Sequence, residues 1–195
     1  MDDMVLRAMT RWPNVPAVFG WLSLDRRGRF RLRGEPIAHP GVLAFMARNY
    51  GPDAHGRWFF QNGPQRVYVA LEYTPLVLRT TTGARLSSHT GRAARPRAAW
   101  LDDEGAMLLA TDVGPGVVDD RDLAELGEAI VDASGHRPDD DRLESLLEQP
   151  ARAAAAGLRL RLADTDLELG FLPRADAPAH LGYDPQPTPD TPPLG

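Results

Sequence analysis

The sequence predicts an α+β fold built from antiparallel β-hairpins and about three helices. Residues of alternating polarity flank tight turns such as the one from Asp25 to Gly28, as they do in hairpins. Apolar residues also recur at helical spacing after Pro40, a residue that suits the first position of a helix. The chain has 195 residues, 43% of them hydrophobic and 25% charged, so it can bury a core without disulfides or metals.

The first hairpin joins residues 19–24 to residues 29–33. Gly28 can take the positive φ that ends a three-residue loop with a bulge. This register gives the hairpin one apolar face and brings a tryptophan opposite an arginine, as a cation–π pair requires. The pairs that it predicts are Leu24–Phe30, Leu22–Leu32 and Trp21–Arg33.

A helix and further strands complete the first half of the chain. The helix begins at Pro40 and ends before Gly51. Residues 81–97 show no usable period, so we interpret them as a mobile basic loop or linker. The strands predicted between the helix and this loop are residues 57–61, 66–72 and 76–80.

The second half opens with a hairpin whose turn runs from Asp102 to Gly105. Asp119 or Asp120 can cap a helix that ends near Gly135. Another helix is predicted at 138–150, between two prolines. The last hairpin comprises residues 158–162 and 166–171, with the predicted pairs Leu162–Leu167, Leu160–Leu169 and Arg161–Glu168.

The predicted elements fall into four segments. They are a basic hairpin–helix–hairpin half (1–80), a basic loop or linker (81–97), an acidic hairpin–helix–helix–hairpin half (98–172) and a disordered proline-rich tail (173–195). Both halves open with a hairpin that turns on Asp-x-x-Gly, which suggests two pseudo-symmetric ββαββ-like halves. The alternative is that Asp-x-x-Gly is merely a common hairpin turn.

Charge is unevenly distributed along the chain. All 22 basic residues are arginines. Residues 1–97 hold 15 of them against six acids, a net charge of +9, whereas residues 98–195 hold seven against 21, a net charge of −14. Such an asymmetry can mark an anion-binding face. The alternative is that the two halves pack together and neutralise each other.

Missing residue types exclude several classes of function. The absence of cysteine excludes disulfides, thiolate zinc sites and a cysteine nucleophile, and the absence of lysine excludes a Walker-type phosphate loop. The five histidines lack metal-ligand spacing, so we expect neither a metal nor a cofactor. No secretory signal or membrane-spanning stretch is evident, so we expect a cytoplasmic bacterial protein without a membrane partner.

Three segments of the first half are distinctive: RWPNVPAVFGWLSLDRRGRFRLRGEPI, HPGVLAFMARNYG and GRWFFQNGPQRVYVALEYTPLVLR. Over about residues 12–79 they resemble an uncharacterised proteobacterial family described only as a domain of unknown function. The resemblance implies a bacterial housekeeping or regulatory protein. It supplies no activity, cofactor or catalytic residue.

Catalytic chemistry has little support in the sequence. There is no G-x-S-x-G nucleophile elbow, and the hydroxyls and imidazole of residues 87–89 are too close in sequence to form a relay. Asp53 and His55 are the nearest approach to a catalytic pair, and they lie in a glycine-bounded turn. They define the alternative of a small hydrolase or transferase that uses His55 and a nearby carboxylate.

A surface of aromatic and basic side chains is the better-supported candidate. Alternation along two neighbouring strands places Arg57 and Phe59 on one face, and the next strand adds Arg66 and Tyr68. Such a sheet face can stack bases or bind an anionic segment. If both faces of the sheet are covered, the aromatic residues are core. The arginines predicted beside this surface are Arg29, Arg31 and Arg33.

The sequence therefore predicts a non-catalytic binding or regulatory module that contacts a protein or an anionic ligand through its arginine-rich first half. Nucleic acid has weaker support as a partner, because the strands lack the RRM signature. Besides the enzyme, one alternative stays open: a structural subunit whose acidic half and tail engage a basic partner.

Overall fold

The computed structural model describes residues 2–12, 15–139, 156–162 and 165–190, together with Asp141, Ser145, Glu148, Gln149 and Arg152. The fold is α+β, and the chain divides into two compact units. Unit 1 consists of Met1–Pro75 and Gly182–Gly195, and unit 2 consists of Leu76–Leu181. Within the described ranges, none of the helices has the length and apolar character needed to cross a membrane.

Unit 1 contains a six-stranded sheet. Its elements are α1 (Asp3–Arg11), β1 (Val18–Leu24), β2 (Phe30–Leu32), β3 (Glu35–Pro36), α2 (Pro40–Arg48), β4 (Tyr50–Pro52), β5 (Trp58–Asn62) and β6 (Gln65–Leu71). The strand order is β3-β2-β1-β6-β5-β4. The central strands β1 and β6 are parallel, and the other neighbours are antiparallel.

The hairpin of β1 and β2 has the register that its alternation predicts. Gly28 has a φ of 75° in the turn. The guanidinium carbon of Arg33 lies 4.0 Å from the ring centroid of Trp21, which confirms the predicted cation–π pair. Helix α2 begins at Pro40, also as predicted. The observed cross-strand pairs include Leu24–Phe30 and Leu22–Leu32.

Unit 2 contains a nine-stranded sheet. Its elements are β7 (Leu76–Thr81), β8 (Arg85–Ser88), β9 (Ala93–Ala94), β10 (Pro96–Leu101), β11 (Met107–Thr111), β12 (Gly114–Val118), a 3₁₀ turn (Asp120–Asp122), α3 (Leu123–Gly127), β13 (Ile130–Val131), β14 (Arg159–Leu162), β15 (Thr165–Phe171) and α4 (Ala177–Leu181). The strand order is β13-β14-β15-β10-β11-β12-β7-β8-β9. Leu101, Leu108 and Leu109 are among its fully buried core residues.

Six strands of unit 2 share the order and directions of the six strands of unit 1. In unit 2 the consecutive strands are β12-β11-β10-β15-β14-β13, and β10 and β15 are parallel like β1 and β6. In each set, three strands precede a helix and three follow it. Strands β7, β8 and β9 extend the sheet of unit 2 beyond β12.

The helix predicted after Asp119 is much shorter than expected. Helix α3 ends at Gly127, and Ile130 lies in strand β13 instead of the helix. Glycine is a poor helix former, and the β-branched Ile130 and Val131 favour a strand. The helix predicted at 138–150 falls mostly outside the described residues.

The register of the last hairpin differs from the prediction by two residues. A shift of two residues leaves every side chain on its own face, so alternation cannot distinguish the two registers. The ladder extends to the end of β14, and only two residues connect the strands. The observed pairs are Leu160–Leu167, Arg161–Asp166 and Leu162–Thr165.

The stretch at 81–97, predicted to be a mobile loop, contributes strands β8 and β9. It is ordered because Leu86 and Ala94 lie opposite each other and are both buried. An apolar pair every few residues is enough to anchor an edge strand, although it leaves no visible period in the sequence.

The expected disorder from Pro173 onward does not hold for residues 173–190. They include α4, and the N–H of Leu71 donates to the carbonyl of Pro185 at 2.8 Å. Tyr183 is buried. Proline lacks an N–H but keeps its carbonyl, so it can still accept from the last residue of a strand. Residues 191–195 lie outside the described part of the chain.

Candidate functional site

One turn recurs at four strand ends and fixes much of the local charge. In each copy, Oδ1 of an aspartate accepts hydrogen bonds of 2.7–3.1 Å from the backbone N–H groups two and four residues later. The glycine three residues after the aspartate has a φ between 75° and 82°. The four turns are Asp25–Arg29, Asp53–Arg57, Asp102–Ala106 and Asp132–His136.

Arg57, predicted to bind a ligand, is neutralised within unit 1. Its Nε donates to Oδ2 of Asp53 at 2.8 Å, and its Nη1 donates to Oδ1 of Asp190 at 2.6 Å. The Tyr68 hydroxyl donates to the same Asp53 oxygen at 3.0 Å. The hydrogen bond to Asp190 outweighs burial and raises the pKa of Arg57. With its side chain only 11% exposed, Arg57 is not available to an external anion.

The carboxyl group of Asp53 is held ionised by its surroundings. Burial opposes ionisation, but the hydrogen bonds from Arg57, the His55 N–H and Tyr68 outweigh it and lower the pKa of Asp53. Both of its oxygens accept hydrogen bonds from this turn and from β6. Asp53 therefore stabilises a turn and has no oxygen placed to act as a base.

Arg29 and Arg31 are tied to their own hairpin in the same way. Nε of Arg29 lies 2.8 Å from Oδ2 of Asp25, and Nη2 of Arg31 lies 3.2 Å from the same oxygen. Burial of Asp25 opposes ionisation, yet the hydrogen bonds from Arg29, Arg27 and Arg31 lower its pKa. Arg33 lies over Trp21.

The aromatic face predicted to bind a ligand is covered. Phe59 and Tyr68 are only 5% and 3% exposed. Strand β1 pairs with β6 and brings Phe19 onto Tyr68, with ring centroids 4.4 Å apart. Arg66 is exposed, and its guanidinium carbon lies 4.8 Å from the centroid of the Phe59 ring. The expectation that Phe59 and Tyr68 are accessible is therefore wrong, and the alternative of a core role holds for both.

His55 is exposed in the turn after Asp53. Its backbone N–H donates to Asp53 at 2.9 Å, as the turn requires. Polar groups converge on Asp53 and not on the imidazole, so the geometry gives no support to a catalytic pair. The described residues contain no group of three or more side chains suited to holding a metal ion.

The true unit boundaries reduce the charge asymmetry of the sequence. Unit 1 holds ten arginines and eight acids, a net charge of +2, and unit 2 holds twelve and nineteen, a net charge of −7. The five arginines from Arg79 to Arg97 belong to the acidic unit 2, whereas Asp184 and Asp190 belong to unit 1. The positive charge of residues 1–97 is therefore divided between the two units.

Four exposed arginines on and around β8, β9 and β10 form what we call the arginine cluster. Residues 73–101 contain no acid. In this stretch Arg79 donates to Asp122 at 2.7 Å. The cluster forms no ion pair with any residue that the structure describes. Its members are Arg85, Arg92, Arg95 and Arg97.

A pocket of about 550 Å³ opens beside β8 and β9. Arg85 and Arg95 supply its charge, and Thr165 supplies a hydroxyl. Backbone hydrogen bonds hold Arg95 in place: its N–H donates to Oδ1 of Asp112 at 2.8 Å, and its carbonyl accepts from the Asp112 N–H at 3.0 Å. The planar guanidinium matches the oxygens of a carboxylate or phosphate. The apolar lining consists of Ala84, Leu86, Ala93, Ala94, Pro96 and Leu162.

These arginines fall in the basic loop or linker predicted at 81–97, and no ligand-binding role was predicted for them. The signal that could have found them is the run of five arginines without an acid between Glu72 and Asp102. The pocket itself has no sequence signal, because Leu162 and Thr165 come from a hairpin about 70 residues away from β9.

Two solved structures are similar to this chain. One is the crystal structure of a DUF1285 family protein from Silicibacter pomeroyi DSS-3, with a TM-score of 0.54 and 13% identity over 87% of this chain and 96% of that one. The other is a DUF1285 family protein from Shewanella baltica OS155, with a TM-score of 0.43 and 16% identity over 54% and 88%. The first likeness shows a shared fold alone.

No curated protein matches the chain. A model of the family DUF2944, described as "Protein of unknown function (DUF2946)", matches residues 1–188. This match confirms the resemblance to a family of unknown function and extends it beyond residues 12–79. The chain therefore belongs to the DUF2944 family.

Proposed function

We propose that the protein is a non-catalytic, cytoplasmic bacterial module that binds a small anionic ligand in the pocket beside β8 and β9. One observation carries the proposal: Arg85 and Arg95 line the same pocket, and neither forms an ion pair with a described residue. Of the arginines first expected to bind, Arg57, Arg29 and Arg31 already have carboxylate partners in unit 1, whereas Arg33 and Arg66 lie over the rings of Trp21 and Phe59.

Two guanidinium groups that line one pocket and form no ion pair with a described residue favour an anionic ligand there. A charge-assisted hydrogen bond contributes about 1.5–3 kcal/mol. Because both arginines are solvent-exposed, salt screens their attraction, and the affinity should fall as ionic strength rises. The proposal retains the binding module predicted from the sequence but assigns its site to unit 2 instead of unit 1.

The test is a titration with inorganic phosphate, followed through the NMR signals of the β8 and β9 amides. Replacing Arg85 and Arg95 by glutamine should weaken binding at least tenfold. The matched control is Arg92→Gln with Arg97→Gln, which removes the same charge outside the pocket lining. Equal weakening in both double variants would show diffuse charge attraction and overturn the proposal.

We also propose that the two units are copies of one ancestral module, in place of the predicted ββαββ-like halves. The equal strand orders of β1–β6 and β10–β15 support this. The turns of Asp25 and Asp102 both follow the first strand of their set, and those of Asp53 and Asp132 both follow the fourth. A crystal structure in which the two sets fail to superpose strand for strand would end this proposal.

A further inference from the structure

We infer that the ligand of this pocket is an organic anion with an apolar body, such as a short alkyl phosphate or carboxylate, and not an inorganic ion. The inference rests on the proposed function and deepens it. It concerns what fills the part of the pocket that the two arginines do not reach.

About half of the surface that lines the pocket is apolar. Six of its nine lining residues have aliphatic or proline side chains, and one has a hydroxyl. Leu86, Ala94 and Leu162 belong to the core, with 3%, 5% and 4% of their surface exposed. The apolar wall is therefore held rigidly by the sheet, whereas Arg85 and Arg95 are exposed at its margin.

Size separates an organic anion from an inorganic one. A volume of about 550 Å³ lies within the range of sites for small organic molecules. A phosphate ion held by the arginines would leave most of this volume filled with water. Water beside the apolar part of the wall is poorly stabilised, because that part offers few hydrogen bonds. An alkyl chain bound in the pocket would cover the apolar part of the wall, and the removal of apolar surface from water is favourable.

The turn beside the pocket contains an alanine in a conformation that glycine adopts more readily. Ala84 has a φ of 54°, in the left-handed region that glycine occupies more readily, and Gly83 before it has a φ of 78°. The turn between β7 and β8 thus carries an alanine at a position that a glycine would fill without strain, and Ala84 is one of the residues that line the pocket. The apolar lining extends to the turn.

The charge pattern is unlike that of a polyanion site. Nucleic acids and heparin engage rows of cations along an open face. Here only Arg85 and Arg95 of the arginine cluster line the pocket, and the other lining residues carry no charge. One anionic headgroup is enough to satisfy two neighbouring guanidinium groups.

The experiment compares inorganic phosphate with methyl, butyl and hexyl phosphate by calorimetric titration at low salt. Each buried methylene should tighten binding about fourfold until the pocket is full. The Ala93→Phe variant should lose the dependence on chain length, because the ring occupies the apolar part of the pocket. Ala93 is exposed in the edge strand β9, so the variant should keep the wild-type melting temperature.

The outcomes separate the two proposals. Equal affinity for all four phosphates, with loss of binding in the Arg85→Gln and Arg95→Gln double variant, would overturn the inference and leave the anion site standing. Absence of binding by every member of the series would overturn both. Chain-length dependence that survives in Ala93→Phe would place the alkyl chain elsewhere and overturn the inference.

Discussion

The Asp53→Asn substitution tests whether the turn carboxylate holds unit 1 together through Arg57. The amide oxygen can still accept the N–H groups of His55 and Arg57, which Oδ1 of Asp53 accepts at 2.9 and 3.0 Å. The amide nitrogen, however, replaces the oxygen that accepts from Arg57 Nε at 2.8 Å. Two donors, the new amide nitrogen and Arg57 Nε, then face each other, and the Arg57 side chain is only 11% exposed to water that could replace the lost acceptor.

The loss is that of one charge-assisted hydrogen bond, about 2 kcal/mol, since Tyr68 can rotate its hydroxyl to another acceptor and Asp190 still pairs with Arg57. For a urea dependence of about 2 kcal/mol per molar, the unfolding midpoint should fall by about 1 M. In a Trp100→Phe background, all three remaining tryptophans belong to unit 1 and report its unfolding.

Asp132→Asn is the matched control. Its Oδ1 accepts the same two backbone N–H groups, but the fifth residue of that turn is His136 instead of an arginine. The control variant should lose less free energy of unfolding than Asp53→Asn. Its urea midpoint is measured in the Trp12→Phe, Trp21→Phe and Trp58→Phe background, in which Trp100 reports the unfolding of unit 2. A loss in Asp53→Asn no larger than that of the control would refute the reasoning, because the arginine would then contribute nothing.

Stability should fall as the pH drops below about 4, because the pKa values of Asp25, Asp53 and Asp122 lie below the ordinary value of 3.8 in the folded protein. Their stabilisation is complete above that value and is lost as each carboxylate protonates; urea midpoints that stay constant down to about pH 3 would contradict this. Gly56→Ala should lower the melting temperature more than Gly83→Ala. Both glycines have a positive φ, which costs a non-glycine residue about 1–2 kcal/mol, but only at Gly56 does the added Cβ collide with the carbonyl oxygen of Gly182. Equal losses would show that the C-terminal segment does not dock there. Gly170→Ala should cost about 1–3 kcal/mol and shift Trp100 fluorescence, since its Cβ would lie 2.7 Å from Trp100 Cδ1; an unchanged spectrum would contradict the packing.

The parts of the fold that were predictable are those fixed by residues close in sequence. The register of the first hairpin follows from alternation and from a glycine at position 28, and both act over fewer than about ten residues. The last hairpin shows the limit of this reasoning: its two registers place the same leucines on the same face. The short strands β3, β4, β9 and β13 were not predicted, because elements of two or three residues show no period. Helix α1, which has nine residues, was also not predicted.

The candidate site was predictable only as a charge run. Arginines without acids between residues 73 and 101 are visible in the sequence, and so is the general idea of an anionic ligand. The sequence does not show which arginines remain available to bind a ligand after folding. Arg57 is among the residues predicted to bind a ligand, but its second carboxylate partner, Asp190, lies 133 residues away in the sequence.

Local residue patterns were enough to establish an α+β chain, its first hairpin and the start of α2. The tertiary structure alone settled which charges are neutralised, which aromatic rings are covered and where a pocket remains. The reason is physical. Backbone hydrogen bonds of a hairpin join near neighbours. The Arg57–Asp190 ion pair and the pocket wall instead depend on distant segments that meet only after folding, as Phe19 meets Tyr68 and Leu162 meets β9.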